Sequence, residues 1–159
     1  DISMGFTSLN TAGRSTYWPI VYFSALQRPL LGHGLGTSRL LVGAIVSERR
    51  GIDVRETYPH NEYLGIMHDI GLVGLVLLLI SWGTIFVASW RRWKASRHPR
   101  LAKWNMASTL SIGSVLVSAL TDNTLHYPIV IVPTIIVWGV AESLTLYSEA
   151  RKEPLWGGK

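Results

Sequence analysis

Three apolar runs, the first two without a charged side chain, occupy the chain from residue 70 onward, and polar or charged stretches separate them. No side chain is charged between residues 70 and 90, and these 21 residues make about 30 Å of helix, enough to cross a bilayer. Residues 104–121 form a second run, rich in small side chains. Residues 129–146 form a third, interrupted by Pro133 and carrying Glu142 near its end. The pattern predicts an all-α integral membrane bundle with transmembrane helices at about 70–90, 104–121 and 129–146. Residues 1–69 then form an outer loop region with residues 147–159 as a tail.

Within the outer region, residues 1–13 are polar and read as a connection. Residues 15–27 are aromatic and apolar but too short to span, with Ser15 as an N-cap and Pro29 as a stop. Tyr17, Trp18, Tyr22 and Phe23 suit a helix lying at headgroup depth; they suit equally a helix packed against other extramembrane helices. Residues 32–38 read Gly-His-Gly-Leu-Gly-Thr-Ser, a turn-rich loop. Alternating glycines can bring backbone N–H groups close to a phosphate, but the loop lacks a P-loop lysine and the dinucleotide spacing. Residues 39–46 are a short apolar run, and residues 47–57 a mixed-charge loop of the solvated kind. His33 and His68 stand singly and read as structural.

A helix that already begins near His60, with Pro59 in its first turn, places Met67, Gly71, Gly74 and Leu78 within about 40° of the His60 direction. Glycines on that stripe permit close approach of another helix. The His60 face then points into protein, which makes the imidazole a functional candidate. An interfacial histidine that satisfies a neighbouring backbone group fits the same geometry. Ser111, Ser114 and Ser118 share a stripe of the second run and predict tight helix packing there.

The chain has 159 residues, 48% hydrophobic and 16% charged, with a mean hydropathy of +0.25 and a pI near 9.8. Excess basic charge raises nucleic acid as a partner, but six of the fifteen basic residues, Arg91, Arg92, Lys94, Arg97, Arg100 and Lys103, sit between two apolar runs with no acid among them. The positive-inside rule explains them and places that loop in the cytoplasm, so no nucleic-acid partner is expected. Arg151, Lys152 and Lys159 agree with a cytoplasmic tail. By alternation His60, the glycine loop and Asp122 face the other side. Without cysteine there is no disulfide or thiolate site, and no His/Asp/Glu set has metal spacing. The chain opens at Asp1 without an initiator Met and reads as the C-terminal part of a longer multispanning protein.

His60-Asn61, nine residues, then Gly71-x-x-Gly74 resembles the signature of the O-antigen ligase and O-antigen polymerase superfamily. Upstream, Gly13-Arg14 with Trp18, and Pro29-Leu-Leu-Gly32-His-Gly34-Leu-Gly36, are similar to the Arg and Pro-x-x-Gly-x-Gly-x-Gly elements of the same domain. The likeness covers residues 13–80 and is more specific for the superfamily than for the reaction. It implies metal-free, inverting transfer of a polyprenyl-diphosphate-linked glycan to a sugar acceptor, either lipid A-core or a growing polysaccharide, without cofactor. The implied setting is the bacterial inner (plasma) membrane with its lipids, the site facing the periplasm. Ligase, O-antigen or exopolysaccharide polymerase, and protein O-glycosylating transferase remain open under the resemblance. A non-catalytic transporter or scaffold is the competing class, since transporters too carry intramembrane His and acidic residues.

Histidine suits removal of an acceptor hydroxyl proton because imidazole ordinarily titrates near neutrality. Arginine suits a diphosphate through its forked donor geometry. His60 is therefore expected as base or acceptor orienter, Asn61 as its local support and Arg14 as diphosphate clamp. Arg28 and Arg39 are substrate-binding candidates by proximity. Asp122 and His126 follow, with a polar loop tying two helix ends together as the plainer role.

Overall fold

The computed structural model describes residues 2–4, 7–9, 14–51, 53–55 and 57–151. Ile2–Met4 (β1) and Thr7–Leu9 (β2) pair antiparallel, Ile2 opposite Leu9. The body is helical, as expected: α1 Arg14–Ala25, α2 Thr37–Arg50, α3 Glu62–Ala95, α4 Pro99–Ser118 and α5 Pro128–Arg151. A short 3-10 turn, Thr124–His126, precedes α5. The chain divides into two compact units, Asp1–Leu78 with Ala119–Asn123, and Leu79–Ser118 with Thr124–Lys159.

In the first unit, α1 buries Tyr17, Val21 and Ala25, one residue per turn. Tyr17 and Val21 form a small core with Val42 of α2, and Trp18, Leu41, Ile45 and Leu64 pack around it. Of the four aromatics expected at headgroup depth, Tyr17 is therefore inside, and Tyr22 and Phe23 remain exposed beside Ile20 and Leu26. The helix α2 runs through Ser47–Arg50, where a charged loop was expected. Arg49 and Arg50 occupy its last turn, where cations complement the helix dipole, and Gly51 ends it in a left-handed conformation at φ 63°.

The helix α3 starts two residues later than expected. Asn61 Oδ1 accepts the Leu64 N–H at 2.9 Å, capping a helix whose first residue is Glu62. Pro59 and His60 lie outside it, His60 at a left-handed φ of 51°. The helix is also broken: Gly71 has φ 69° and ψ −169°. A single unbroken phase from His60 to Leu78 therefore does not exist, and the proposed glycine stripe dissolves. A β-carbon at Gly71 would stand 2.2 Å from the Leu30 carbonyl oxygen, and one at Gly74 would strike its own helix neighbour Ile70. These glycines admit a loop and a side chain of the same unit.

Among the described residues two helices, not the expected three, are long and apolar enough to cross a membrane: Glu62–Ala95 and Pro128–Ala150. The second unit shows why α4 falls short. Its buried face carries Asn105, Ser108 and Thr109 together with Ile112 and Val115. Ser108 Oγ and Ser89 Oγ of α3 lie 3.0 Å apart, and Asn105 Nδ2 donates to Thr145 Oγ1 of α5 at 3.2 Å. Polar groups that lower α4's hydropathy are satisfied between helices. The expected Ser111–Ser114–Ser118 stripe is not the packing face: Ser114 and Ser118 are exposed. Arg92 forms an ion pair with Glu142 in the same unit.

Candidate functional site

Two constructions in the first unit hold the signature residues. The earlier one seats the glycine loop in the break of α3. A helix interrupted at Gly71 leaves carbonyls and N–H groups without helical partners, and the loop supplies them. The His33 N–H donates to His68 O at 2.9 Å and the Gly34 N–H to Asp69 O at 2.8 Å. Beyond the break, the Leu72 N–H donates to Pro29 O at 2.8 Å and the Val73 N–H to Leu30 O at 3.3 Å. Such contact requires bare backbone at Gly32, where a β-carbon would sit 2.5 Å from the Asp69 carbonyl.

Asp69 completes this lock. Its carboxylate accepts the Gly36 N–H at 2.8 Å, the Ser38 N–H at 2.7 Å and the Thr37 hydroxyl at 3.3 Å. A nest of N–H groups at the start of α2 is thus filled by an internal anion. The His68 ring joins Asp69 (3.2 Å) to Ser24 Oγ (3.1 Å), so serine, histidine and aspartate stand in sequence. Their setting is that of a staple. His68 is 3% exposed, and its ring stacks on His33 at 4.6 Å between centroids. The structural reading of His33 and His68 agrees with this stacked, buried arrangement, whereas Asp69 and Ser24 escaped the sequence reading; the available signal for Asp69 was an acid immediately before an uncharged run and two residues before a glycine.

The second construction presents His60. Trp18 Nε1 donates to Pro59 O at 2.6 Å, and the Glu62 N–H donates to Ala119 O at 2.9 Å. Between these two clamps the chain passes through His60 in its left-handed conformation. His60 Nδ1 lies 3.0 Å from Asp122 Oδ1, and the same oxygen accepts the Asn123 N–H at 2.8 Å. The two side chains are 35% and 44% exposed, so the pair is open to a ligand. Asn123 beside it is buried, and its Nδ2 finds no partner among the described residues.

The other expected residues divide. Asn61 caps α3, so its side chain serves the helix start. Arg39 Nη1 donates to Tyr58 Oη at 3.2 Å, its head lies 5.3 Å from the Tyr58 ring centre, and its carbonyl accepts the Thr57 N–H. It thereby braces the irregular segment leading to His60. Arg14 lies four residues before Trp18, on the same face of α1, and its Nε is buried without a partner among the described residues. Burial pushes the Tyr17 hydroxyl above its usual range, partly offset by the charges of Arg14 and Arg50. Arg28 is exposed on the turn after α1, and its carbonyl accepts the Gly32 N–H. His126 is exposed on the 3-10 turn in the second unit. Among the described contacts, none joins Arg14 or Arg28 to the His60–Asp122 pair. Gly13, Lys152 and Lys159 lie outside the described residues, and no group of three or more His, Asp or Glu among the described residues gathers as metal ligands.

The arrangement can accept a proton at an exposed imidazole backed by a carboxylate, beside a helix that carries an arginine. Residues 2–79 match the family model described as O-antigen ligase, a stretch holding the glycine loop, the α3 break and His60 but not Asp122. Nothing among the curated proteins or the solved structures matches the chain.

Proposed function

From the membership of residues 2–79 in the O-antigen ligase superfamily, we propose that His60 and Asp122 are the reacting pair of a membrane glycosyltransferase. The observation that carries the reading is the 3.0 Å contact between two residues 62 positions apart. Asp122 accepts the Nδ1 proton and so holds the ring in the tautomer whose Nε2 carries a lone pair. Nε2 takes the proton of an acceptor sugar hydroxyl as its oxygen attacks the anomeric carbon of the donor. The bond from that carbon to the polyprenyl diphosphate breaks, and configuration inverts. Arg14 meets the negative charge that grows on the departing diphosphate, with Arg28 and Arg39 as outer contributors.

The donor is a polyprenyl-diphosphate-linked glycan and the acceptor lipid A-core, the ligase form of the reaction. We place His60 and Asp122 on the periplasmic side of the inner membrane. The support is the run of six cations and no acid in the 91–103 loop, which favours the cytoplasm for that end. The exposed apolar residues Ile20, Phe23, Leu30 and Leu31 give the first unit a surface suited to headgroup depth.

Polysaccharide profiling of a strain lacking the full-length protein tests the reading. Loss of polymer-capped lipid A-core, with polymer still accumulating on the carrier lipid, is the expected result. Single-repeat products on lipid A-core would identify a polymerase, and an unchanged profile would overturn both.

A further inference from the structure

The second unit carries an open groove of about 620 Å³ between α3 and α4 that the proposed reaction does not use. Its wall is apolar: Phe86, Trp90 and Trp93 from α3 face Leu110 and Val117 of α4. The α4 residues lining it run from Thr109 to Ser118, about 14 Å of helix, close to the depth of one leaflet of a roughly 30 Å hydrocarbon core. Trp90 and Trp93 belong to the end of α3 that leads into the basic turn, and Lys94 Nζ lies 4.4 Å from the Trp93 ring centre. Arg91, Lys94, Arg97 and Lys103 are all exposed there.

The turn's charge is also misplaced for helix stability alone. α4 begins with Arg100 and Lys103 in or next to its first turn and has no acid there, whereas the positive end of a helix dipole favours anions. A second shallow groove, along Leu79, Gly83 and Val87 of α3, likewise ends at Arg91. An apolar groove walled by tryptophans, beside a turn whose Arg91, Lys94 and Lys103 are exposed, has the two halves of a lipid's chemistry.

We infer that the α3–α4 groove and the basic turn together bind one anionic phospholipid of the leaflet on that side, an acyl chain in the groove and the phosphate among Arg91, Lys94 and Lys103. The tryptophans sit where headgroup meets chain, as aromatic belts do. Neutralising one of these cations weakens binding about fivefold, the equivalent of about 1 kcal/mol per basic residue near an anionic surface.

The test reconstitutes the full-length protein in phosphatidylcholine vesicles containing brominated-chain phosphatidylglycerol or, in parallel, brominated-chain phosphatidylcholine at the same mole fraction. Tryptophan quenching should be stronger for phosphatidylglycerol, and the excess should vanish in Trp90→Phe/Trp93→Phe. Arg91→Gln/Lys94→Gln/Lys103→Gln should erase the headgroup preference, and Ser114→Phe, which fills the groove, should reduce quenching by both lipids at these tryptophans. If the charge variant fails to fold, high salt on the unaltered protein must erase the same preference. Equal quenching by the two lipids means the cations act only as a topology signal and overturns the proposal. So does displacement of phosphatidylglycerol by trace polyprenyl phosphate, which would make the groove a donor site.

Discussion

The two compact units are held by different means. The first joins its loop to α3 by backbone hydrogen bonds and has bare glycine at the points of contact. The second packs helix on helix and pins the seams with hydroxyl and amide side chains. Backbone contact of the first kind has no slack, because a carbonyl at van der Waals distance cannot rotate away. Side-chain packing of the second kind can yield by rotamer change. The site residues sit in the unyielding unit, where a proton acceptor must keep its position.

The largest effect should come from Gly71→Ala. Its β-carbon would lie 2.2 Å from the Leu30 oxygen, at φ 69°, so folded protein should be lost, read as disappearance of the monodisperse peak in detergent. Normal yield of that variant would break the comparison between the units.

Next is His60→Ala, which should leave the protein folded but slow transfer about 10²–10⁴-fold, the usual range for a lost general base. Asp122→Asn should cost less, because the imidazole remains while its orientation is no longer enforced. Both are measured with purified polyprenyl-diphosphate glycan and lipid A-core in liposomes, per folded molecule. Lowered thermal stability with unchanged turnover in His60→Ala would make the residue structural.

Asp69→Ala should destabilise the first unit by about 1–3 kcal/mol, since it leaves the Gly36 and Ser38 N–H groups without their acceptor. Hydrogen exchange at the start of α2 should rise first. The smallest effects belong to the second unit. Gly83→Ala meets open space and should be neutral or stabilising by up to about 1 kcal/mol. The β-carbon of Gly113→Ala would stand 3.3 Å from the ring edge of Phe86, a side chain that can shift by rotamer adjustment, so this variant should shift the melting temperature only slightly. A large loss in either would show that the helical unit is as rigid as the loop-locked one.

Much of this protein was determined by the order of its residues alone. Apolar runs of about 20 residues read as helices because a helix satisfies its own backbone within one segment, and α3 and α5 lie where two of those runs lie. The glycine loop and the His60-Asn61 signature were equally visible, and so was the likeness to the O-antigen ligase family model that residues 2–79 match. Position within the helix was not. Periodicity assumes an unbroken spiral, and the break at Gly71 and the left-handed His60 remove the premise on which the His60 stripe rested. The partnership of His60 with Asp122, the filling of the α2 nest by Asp69, and the choice of Asn105 and Ser108 over Ser114 as packing residues were decided by tertiary structure. Each depends on which groups a folded backbone leaves without a partner, and that is settled between segments distant along the chain, where no spacing of residue types records it.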